Sequence, residues 1–191
     1  MRPLAFALAA ALLAAPAVAQ APAPAAPAWT VDKAASRLGF RASMNKDAFD
    51  GRFTRWDARI AFDPANLKAS RVVATIDLAS AVTGDGARDE SLPSSDWFDV
   101  RRHPRAVFTS RAITAAGPGR YVATGDLTLR GVTRPVSLPF TLAITGDTAK
   151  MTGTTTLDRT AFGVGQGQWK SLDAVPAKVS VTVALTAKRA R

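Results

Sequence analysis

The sequence predicts a mainly β protein: an extended antiparallel β-barrel of about eight strands with one short helical connection. From Trp29 onward, apolar and polar residues alternate along most of the chain, which is the period of strands with one buried face. Short turn signals separate these runs, and strands joined by short turns are antiparallel. No long amphipathic helix lies between them, so a parallel sheet is not expected. Such strands fit a closed barrel or a sandwich, and a barrel of this size can hold one small ligand.

The first residues have the pattern of an export signal. Arg2 supplies a basic start, residues 4–15 are an unbroken apolar run, and Ala17-Val18-Ala19 is a small-x-small cleavage site. The run is short for a membrane-spanning helix, although an uncleaved anchor is the alternative. We therefore interpret residues 1–19 as a signal peptide and expect a periplasmic protein. Residues 20–28, rich in Pro and Ala, are predicted to be an extended linker, and residues 29–191 one barrel domain.

Within the domain, each alternating run predicts a strand with one face in the core. These runs are 38–44, 56–62, 72–78, 136–144 and 179–185. Phe53 is out of phase with Trp56, which predicts a bend or bulge near Thr54-Arg55. Turns are predicted where Gly, Pro, Asn and Asp cluster between the runs, at 63–66, 117–119, 131–135 and 146–147.

One stretch, residues 85–100, lacks the alternation. Asp85 can cap a short helix that continues to Leu92, because Pro93 stops it there. Ser94 or Ser95 can cap a second turn, which carries Trp97 and Phe98. We interpret this stretch as a helical connection packed over the sheet.

Composition excludes several kinds of chemistry. The chain has no Cys and one His, so disulfides, thiol catalysis, iron–sulfur clusters and multi-His metal sites are excluded or disfavoured. No pair of carboxylates is spaced as an acid–base couple, so we expect neither catalysis nor a cofactor. The 25 Lys+Arg against 15 Asp+Glu give a net charge of +10. For an exported protein this charge suits an anionic membrane surface better than nucleic acid, with an ordinary solvated surface as the alternative.

Several motifs, in this order and spacing, resemble those of the YceI-like family of exported lipid-binding proteins. The most specific are the blocks 83–100 and 125–136. The others are Trp29-Thr30-Val31-Asp32 with Ser36, His103-Pro104, Phe108-Thr109-Ser110, and Asp158-Arg159 with Phe162-Gly163-Val164. The resemblance spans about residues 29–186. Two positions depart from the family pattern, Ala35 in place of a common His and Ala161 in place of a common Asp, and both departures concern polar contacts to a head group.

The resemblance implies a lipocalin-like barrel with an apolar tunnel for a polyisoprenoid or another long amphiphile. On that basis the expected ligand contacts are large apolar residues in inward phases, the aromatic pair of the connection, and one arginine that could receive a polar head. They are Phe40, Phe62, Ile76, Arg88, Trp97, Phe98, Phe108, Leu127, Phe140 and Phe162. For the apolar residues the alternative is a solid core, for Arg88 an ion pair that fixes the connection, and for Trp97 and Phe98 a cap on the barrel end.

We therefore predict a non-enzymatic periplasmic protein that carries a long isoprenoid or fatty amphiphile. Pairing with a second copy of the chain as a homodimer is also left open. Two alternatives remain: a solid-core envelope or stress module that acts through its basic surface, and an accessory to quinone-linked electron transfer.

Overall fold

The computed structural model describes residues 25–190, which form eleven strands and one α-helix. The strands are β1 (Ala28–Val31), β2 (Arg37–Met44), β3 (Asp47–Phe53), β4 (Trp56–Ala61), β5 (Arg71–Asp77), β6 (Ala81–Val82), β7 (Arg105–Ala115), β8 (Arg120–Leu129), β9 (Val132–Thr145), β10 (Thr148–Asp158) and β11 (Lys178–Arg189). The helix is α1 (Gly86–Ser91), and short 3-10 turns cover Leu67–Ala69, Leu78–Ser80, Arg159–Phe162 and Gly167–Lys170.

Eight of these strands close into an antiparallel barrel. Their order is β1-β4-β5-β7-β8-β9-β10-β11, and β11 returns to β1 through the pairing of Trp29 with Arg189. The remaining strands β2, β3 and β6 continue the sheet from β11 at one end of the barrel. The predicted antiparallel barrel is confirmed.

Three pairs of consecutive strands are bent halves of longer strands. β1 and β2 pair with different parts of β11, with residues 32–36 between them. Ser36 fills this break, because its Oγ accepts the Thr186 N–H at 3.0 Å. Ser80 has the same role between β5 and β6: its Oγ accepts the Arg55 N–H at 3.0 Å. These buried hydroxyls satisfy backbone groups that a broken ladder would otherwise leave unpaired. The bend predicted at Thr54-Arg55 is confirmed between β3 and β4.

The helical connection covers the β6 end of the barrel, and its first part is as predicted. The Asp85 carboxylate caps α1 by accepting the Arg88 N–H at 2.9 Å, and the helix ends at Ser91, with Leu92 as its C-cap before Pro93. The second turn is not a helix and has no serine side-chain cap. The Trp97 N–H donates to the Ser94 carbonyl at 3.1 Å, which makes a turn that leads Phe98 into the core.

Two element boundaries differ from the predicted ones. β1 begins at Ala28, inside the predicted linker, and the Pro27 carbonyl accepts the Phe62 N–H at 3.0 Å. Proline lacks a donor but keeps this acceptor, so it can precede a strand. The turn predicted at 131–135 is shorter, because β9 starts at Val132 and Pro135 pairs with Asp126 of β8.

The predicted signal peptide and residues 20–24 of the linker lie outside the described residues. Within residues 25–190, no helix has the length and apolar character needed to cross a membrane.

Candidate functional site

The core contains two apolar clusters, one toward the α1 end of the barrel and one toward the opposite end. The cluster at the α1 end contains buried Leu78, Phe98 and Phe162, and the opposite cluster contains buried Trp29, Phe62 and Ile113. At the α1 end the rings of Phe40, Phe53 and Phe98 follow one another with centroids 5.5 and 6.0 Å apart. These rings fill that end of the interior and leave the middle of the barrel between the clusters.

A cavity of about 200 Å³ occupies the middle of the barrel. Its walls are side chains from β1, β2, β4, β5 and β7 to β11, all of them apolar except Thr155. The lining residues are Trp29, Leu38, Trp56, Ala58, Ile60, Phe62, Val72, Ala74, Ile76, Phe108, Ile113, Ala123, Leu127, Val136, Leu138, Phe140, Leu142, Ala149, Met151, Thr155, Leu157, Val181, Val183, Leu185 and Ala187. An apolar cavity gives water no hydrogen-bond partners, so it favours an apolar occupant.

The exposure of the inward residues also shows a hollow interior. Ala58, Ala74, Val136 and Val183 point inward in the middle of the barrel and are only partly buried, because their side chains border empty space. Inward residues at the ends, such as Ile113, are about 4% exposed. Along β9 the lining runs from Val136 to Leu142, which is roughly 20 Å of strand. The cavity is therefore elongated along the barrel.

The structure brings five of the predicted contact residues together in the cavity wall. They are Phe62, Ile76, Phe108, Leu127 and Phe140. All five lie in strands or at a strand end with their side chains in the inward phase. Their contact with a ligand stays a prediction, and their position is the one that such a contact requires.

Four other predicted residues lie away from the cavity wall. The ring of Phe40 packs against the backbone of Gly51. A Cβ added at position 51 would lie only 2.1 Å from the Cζ atom of Phe40. Phe98 and Phe162 are buried in the end cluster, and Trp97 packs beside it with its ring centroid 5.4 Å from that of Trp169. Phe40 follows the alternation of β2, whereas Trp97 and Phe98 lie in the helical connection and Phe162 in a 3-10 turn. All four lie at the level of the end cluster. They pack in the end cluster, and their contact with a ligand stays a prediction.

Arg88, the tenth predicted residue, holds the helical connection in place. Its Nε donates to the Thr83 hydroxyl at 3.3 Å, and its guanidinium lies 4.4 Å from the ring centroid of Phe49. Next to it, Asp89 accepts the Thr83 N–H and hydroxyl at 2.7 Å each. The hydrogen bond from the Thr83 side chain, ahead of the backbone hydrogen bonds, lowers the pKa of Asp89. Arg88 also pairs with Asp85, Nη2 to Oδ2 at 3.7 Å, which is the ion pair of the structural alternative, and its contact with a polar head stays a prediction.

The sequence also contains cavity residues that its interpretation overlooked. Leu38, Trp56 and Met151 line the wall, and each is in phase with inward neighbours of its own strand. Leu38 and Trp56 begin the predicted runs 38–44 and 56–62, so the alternation was a sufficient signal for these two residues, whereas no run is predicted around Met151. Arg159 was noticed only as part of a motif. It is 4% exposed, and its guanidinium donates to the carbonyls of residues 164, 169, 175 and 176 at 2.7–3.2 Å.

Arg159 organises the long loop before β11. Burial lowers the pKa of this guanidinium below its ordinary value, while its neighbour Asp158 acts in the opposite direction. Four carbonyl acceptors replace its hydration, so the charge is retained inside the protein. Gly165 lies against it, with a φ of +85° and no room for a Cβ beside the Arg159 Nη1.

The chemistry available in the cavity is apolar contact. Thr155 is its polar lining residue, and its hydroxyl already donates to the Ser137 carbonyl at 2.9 Å. In residues 25–190, no three His, Asp or Glu side chains are grouped so that they could hold a metal ion. The arrangement suits the burial of a hydrocarbon chain.

A closed antiparallel barrel around an apolar cavity places this protein in the lipocalin-like class of barrels. The model of the YceI-like domain matches residues 29–187, and the chain belongs to the YceI-like family.

Solved structures share this fold. BcnA of Burkholderia cenocepacia is 35% identical, with a TM-score of 0.79 over 82% of this chain and 98% of that one. A polyisoprenoid binding domain from Saccharophagus degradans is 18% identical, with a TM-score of 0.67 over 86% of this chain and 99% of that one. Among curated relatives, a UPF0312 protein of Pseudomonas savastanoi is 34% identical over 140 residues, 70% of each chain.

Proposed function

We propose that this protein binds a long isoprenoid or fatty chain in the barrel cavity and shields it from water. The observation that carries the proposal is the cavity of about 200 Å³ with an apolar wall, which lies between two apolar clusters. Each methylene that leaves water for such an environment contributes roughly 0.8 kcal/mol, less the cost of ordering the chain. Family membership and the similarity to a domain whose name states polyisoprenoid binding support the same ligand class.

The hollow interior favours a carrier over a solid-core module. A module that acts only through its surface has no need of an elongated cavity, and unfilled volume destabilises a folded protein. A quinone also carries an isoprenoid tail, so it belongs to the same ligand class and ligand identification distinguishes it. Export to the periplasm, attraction of the basic surface to anionic membrane, pairing into a homodimer and the absence of catalysis belong to this proposal.

Ligand identification is the direct experiment. We expect native mass spectrometry of the purified protein to show an added mass that organic extraction removes. The extracted protein should then bind prenols with an affinity that rises with chain length until the cavity is full. Protein that carries no amphiphile and binds none after extraction would contradict the proposal.

Two adjacent residues of β9 provide a matched pair of variants. Leu138 lines the cavity, whereas Ser137 is exposed on the outside because successive side chains of a strand point in opposite directions. Leu138→Gln places an amide in the apolar wall and should weaken prenol binding by roughly tenfold or more. Ser137→Gln should leave the affinity unchanged. Equal effects of the two substitutions would contradict binding inside the barrel.

A further inference from the structure

A basic depression lies outside the barrel at the break between β1 and β2. It measures about 450 Å³ and is lined by residues 33, 34, 36–38 and 52–56. Two of its lining residues, Leu38 and Trp56, also line the central cavity. Here β1 does not continue directly into β2, nor β3 into β4. Leu38 and Trp56 form a common wall between the depression and the cavity. A chain that passed between them would lead from the interior to the depression.

The rim of the depression carries more positive charge than its neighbours neutralise. Lys33 and Arg55 are paired with the carboxylates of Asp57 at 2.6 Å and Asp77 at 2.8 Å. Arg37 and Arg52 have no carboxylate within 4.0 Å in the described part of the chain, and no hydrogen bond of their guanidinium groups is found there. The rim therefore offers two arginines that are available to an anion.

The register of β2 and β3 concentrates these charges. Arg52 lies opposite Gly39, so Arg37 and Arg41 are its diagonal neighbours, with Cα atoms roughly 7–8 Å apart. Arg41 has one loose partner, Asp50 at 3.6 Å, and both of these side chains are more than 60% exposed. Like charges on neighbouring strand positions repel each other. A bound anion relieves this repulsion.

A second depression continues from the first along the outer face of β2 and β3. It measures about 460 Å³, and Arg37 and Arg52 line both depressions. Gly39 leaves its floor open, and the hydroxyl residues Ser180 and Thr182 lie on its far side. Two guanidinium groups flanked by hydroxyls match a phosphate group, because the planar fork of arginine binds two phosphate oxygens at once.

We propose that Arg37 and Arg52 bind the phosphate head of an amphiphile whose chain enters the cavity between Leu38 and Trp56. This inference rests on the proposed function, since it adds a head-group site to a chain-binding cavity. It commits to a phosphorylated single-chain lipid as the occupant. Contact with an anionic membrane is less favoured here, because the lining of the depression has no highly exposed large apolar side chain that could insert into a membrane. In the described residues the exposed large apolar side chain is that of Leu172, which is not part of this lining.

The test compares geranylgeranyl phosphate with geranylgeraniol, which share one chain and differ in the head. The variant is Arg37→Gln/Arg52→Gln. The control, Arg59→Gln/Lys150→Gln, removes the same charge from exposed positions of β4 and β10. We expect the first variant to weaken binding of the phosphate by roughly tenfold to a hundredfold, the range expected when a charged hydrogen-bond partner is lost. Its affinity for the alcohol, and both affinities of the control, should not change.

The outcomes separate this inference from the proposed function. If the unaltered protein binds neither compound, the proposed function fails. If it binds both and the arginine variant weakens neither, or weakens both equally, the head-group site alone fails. Inorganic phosphate should compete with geranylgeranyl phosphate and not with the alcohol. If the variant loses only binding to vesicles of anionic phospholipid, the arginines serve membrane contact and the inference is overturned. Unchanged thermal unfolding of both variants verifies their folding.

Discussion

Filling the cavity should make the ligand-free protein more stable, and Ala74→Phe is the substitution that tests this. Ala74 lies on β5 and lines the cavity between Ala58 of β4 and Phe108 of β7. Unfilled apolar volume costs about 24 cal/mol per Å³, so a cavity of 200 Å³ corresponds to roughly 5 kcal/mol of lost stability. An apolar cavity of about 150 Å³ accommodates benzene, and the phenyl group of the variant therefore fits.

We expect Ala74→Phe to raise the free energy of unfolding of extracted protein by about 1–3 kcal/mol, since the ring fills part of the volume and loses some rotamer freedom. The same ring occupies the space of a ligand, so prenol binding should fall sharply. Urea denaturation of extracted protein measures the first effect, and titration with geranylgeraniol measures the second.

The sign of the stability change distinguishes a cavity from a solid core. In a filled core an added ring causes overpacking and lowers stability by about 1–3 kcal/mol. Ala143→Phe, at an exposed position of β9, is the matched control and should leave both quantities nearly unchanged. A destabilised Ala74→Phe protein that still binds prenols at full affinity would refute the reasoning.

Two further predictions concern the polar groups that hold the fold. A hydrogen bond from Arg55 is the main cause that lowers the pKa of Asp77 below its ordinary 3.8. The stabilisation from this interaction is therefore complete above about pH 3.8, the ordinary pKa, and is lost as the pH falls through the lower pKa of Asp77 in the folded protein. Because the side chain is 38% exposed, the contribution is modest, about 0.5 kcal/mol. In a plot of the free energy of unfolding against pH, Asp77→Asn should reduce the loss of stability at acidic pH. An unchanged loss would contradict this role of the Asp77 carboxylate. Arg159→Lys replaces a planar fork that reaches four carbonyls with one ammonium, and should cost about 2–4 kcal/mol. Hydrogen exchange should show lost protection first in residues 163–177, and uniform loss over the barrel would argue against this loop-specific role.

Local pattern was enough to predict five of the eleven strands, β2, β4, β5, β9 and β11, and the start of the helix. The alternation from Val136 to Ile144 identifies the inward face of β9, and Asp85 with Pro93 marks both ends of α1 because capping and proline exclusion act within a few residues. The bend at Thr54-Arg55 was visible because it shifts the alternation by one position.

Other features depend on how far along the barrel axis a residue lies, which a periodic pattern does not encode. Phe40 and Phe140 have the same inward phase, yet Phe40 packs against Gly51 in an end cluster and Phe140 lines the cavity. Strand tilt and stagger determine the level of each residue, and they arise from pairings between distant parts of the chain. The cluster of Arg37 and Arg52 was missed for the same reason, since it exists only in the register of β2 and β3.

The position of β11 has a consequence for the order of folding. This strand pairs with β10 on one side and with β1 and β2 on the other, so the barrel closes through residues near both ends of the chain. The bond between Thr186 and Ser36 spans 150 positions. Contacts of such sequence separation form slowly, because a long loop must close before they contribute. A chain that emerges from its N-terminus therefore exposes unpaired edges of β1, β2 and β10 until β11 has been synthesised, and the barrel closes only after that.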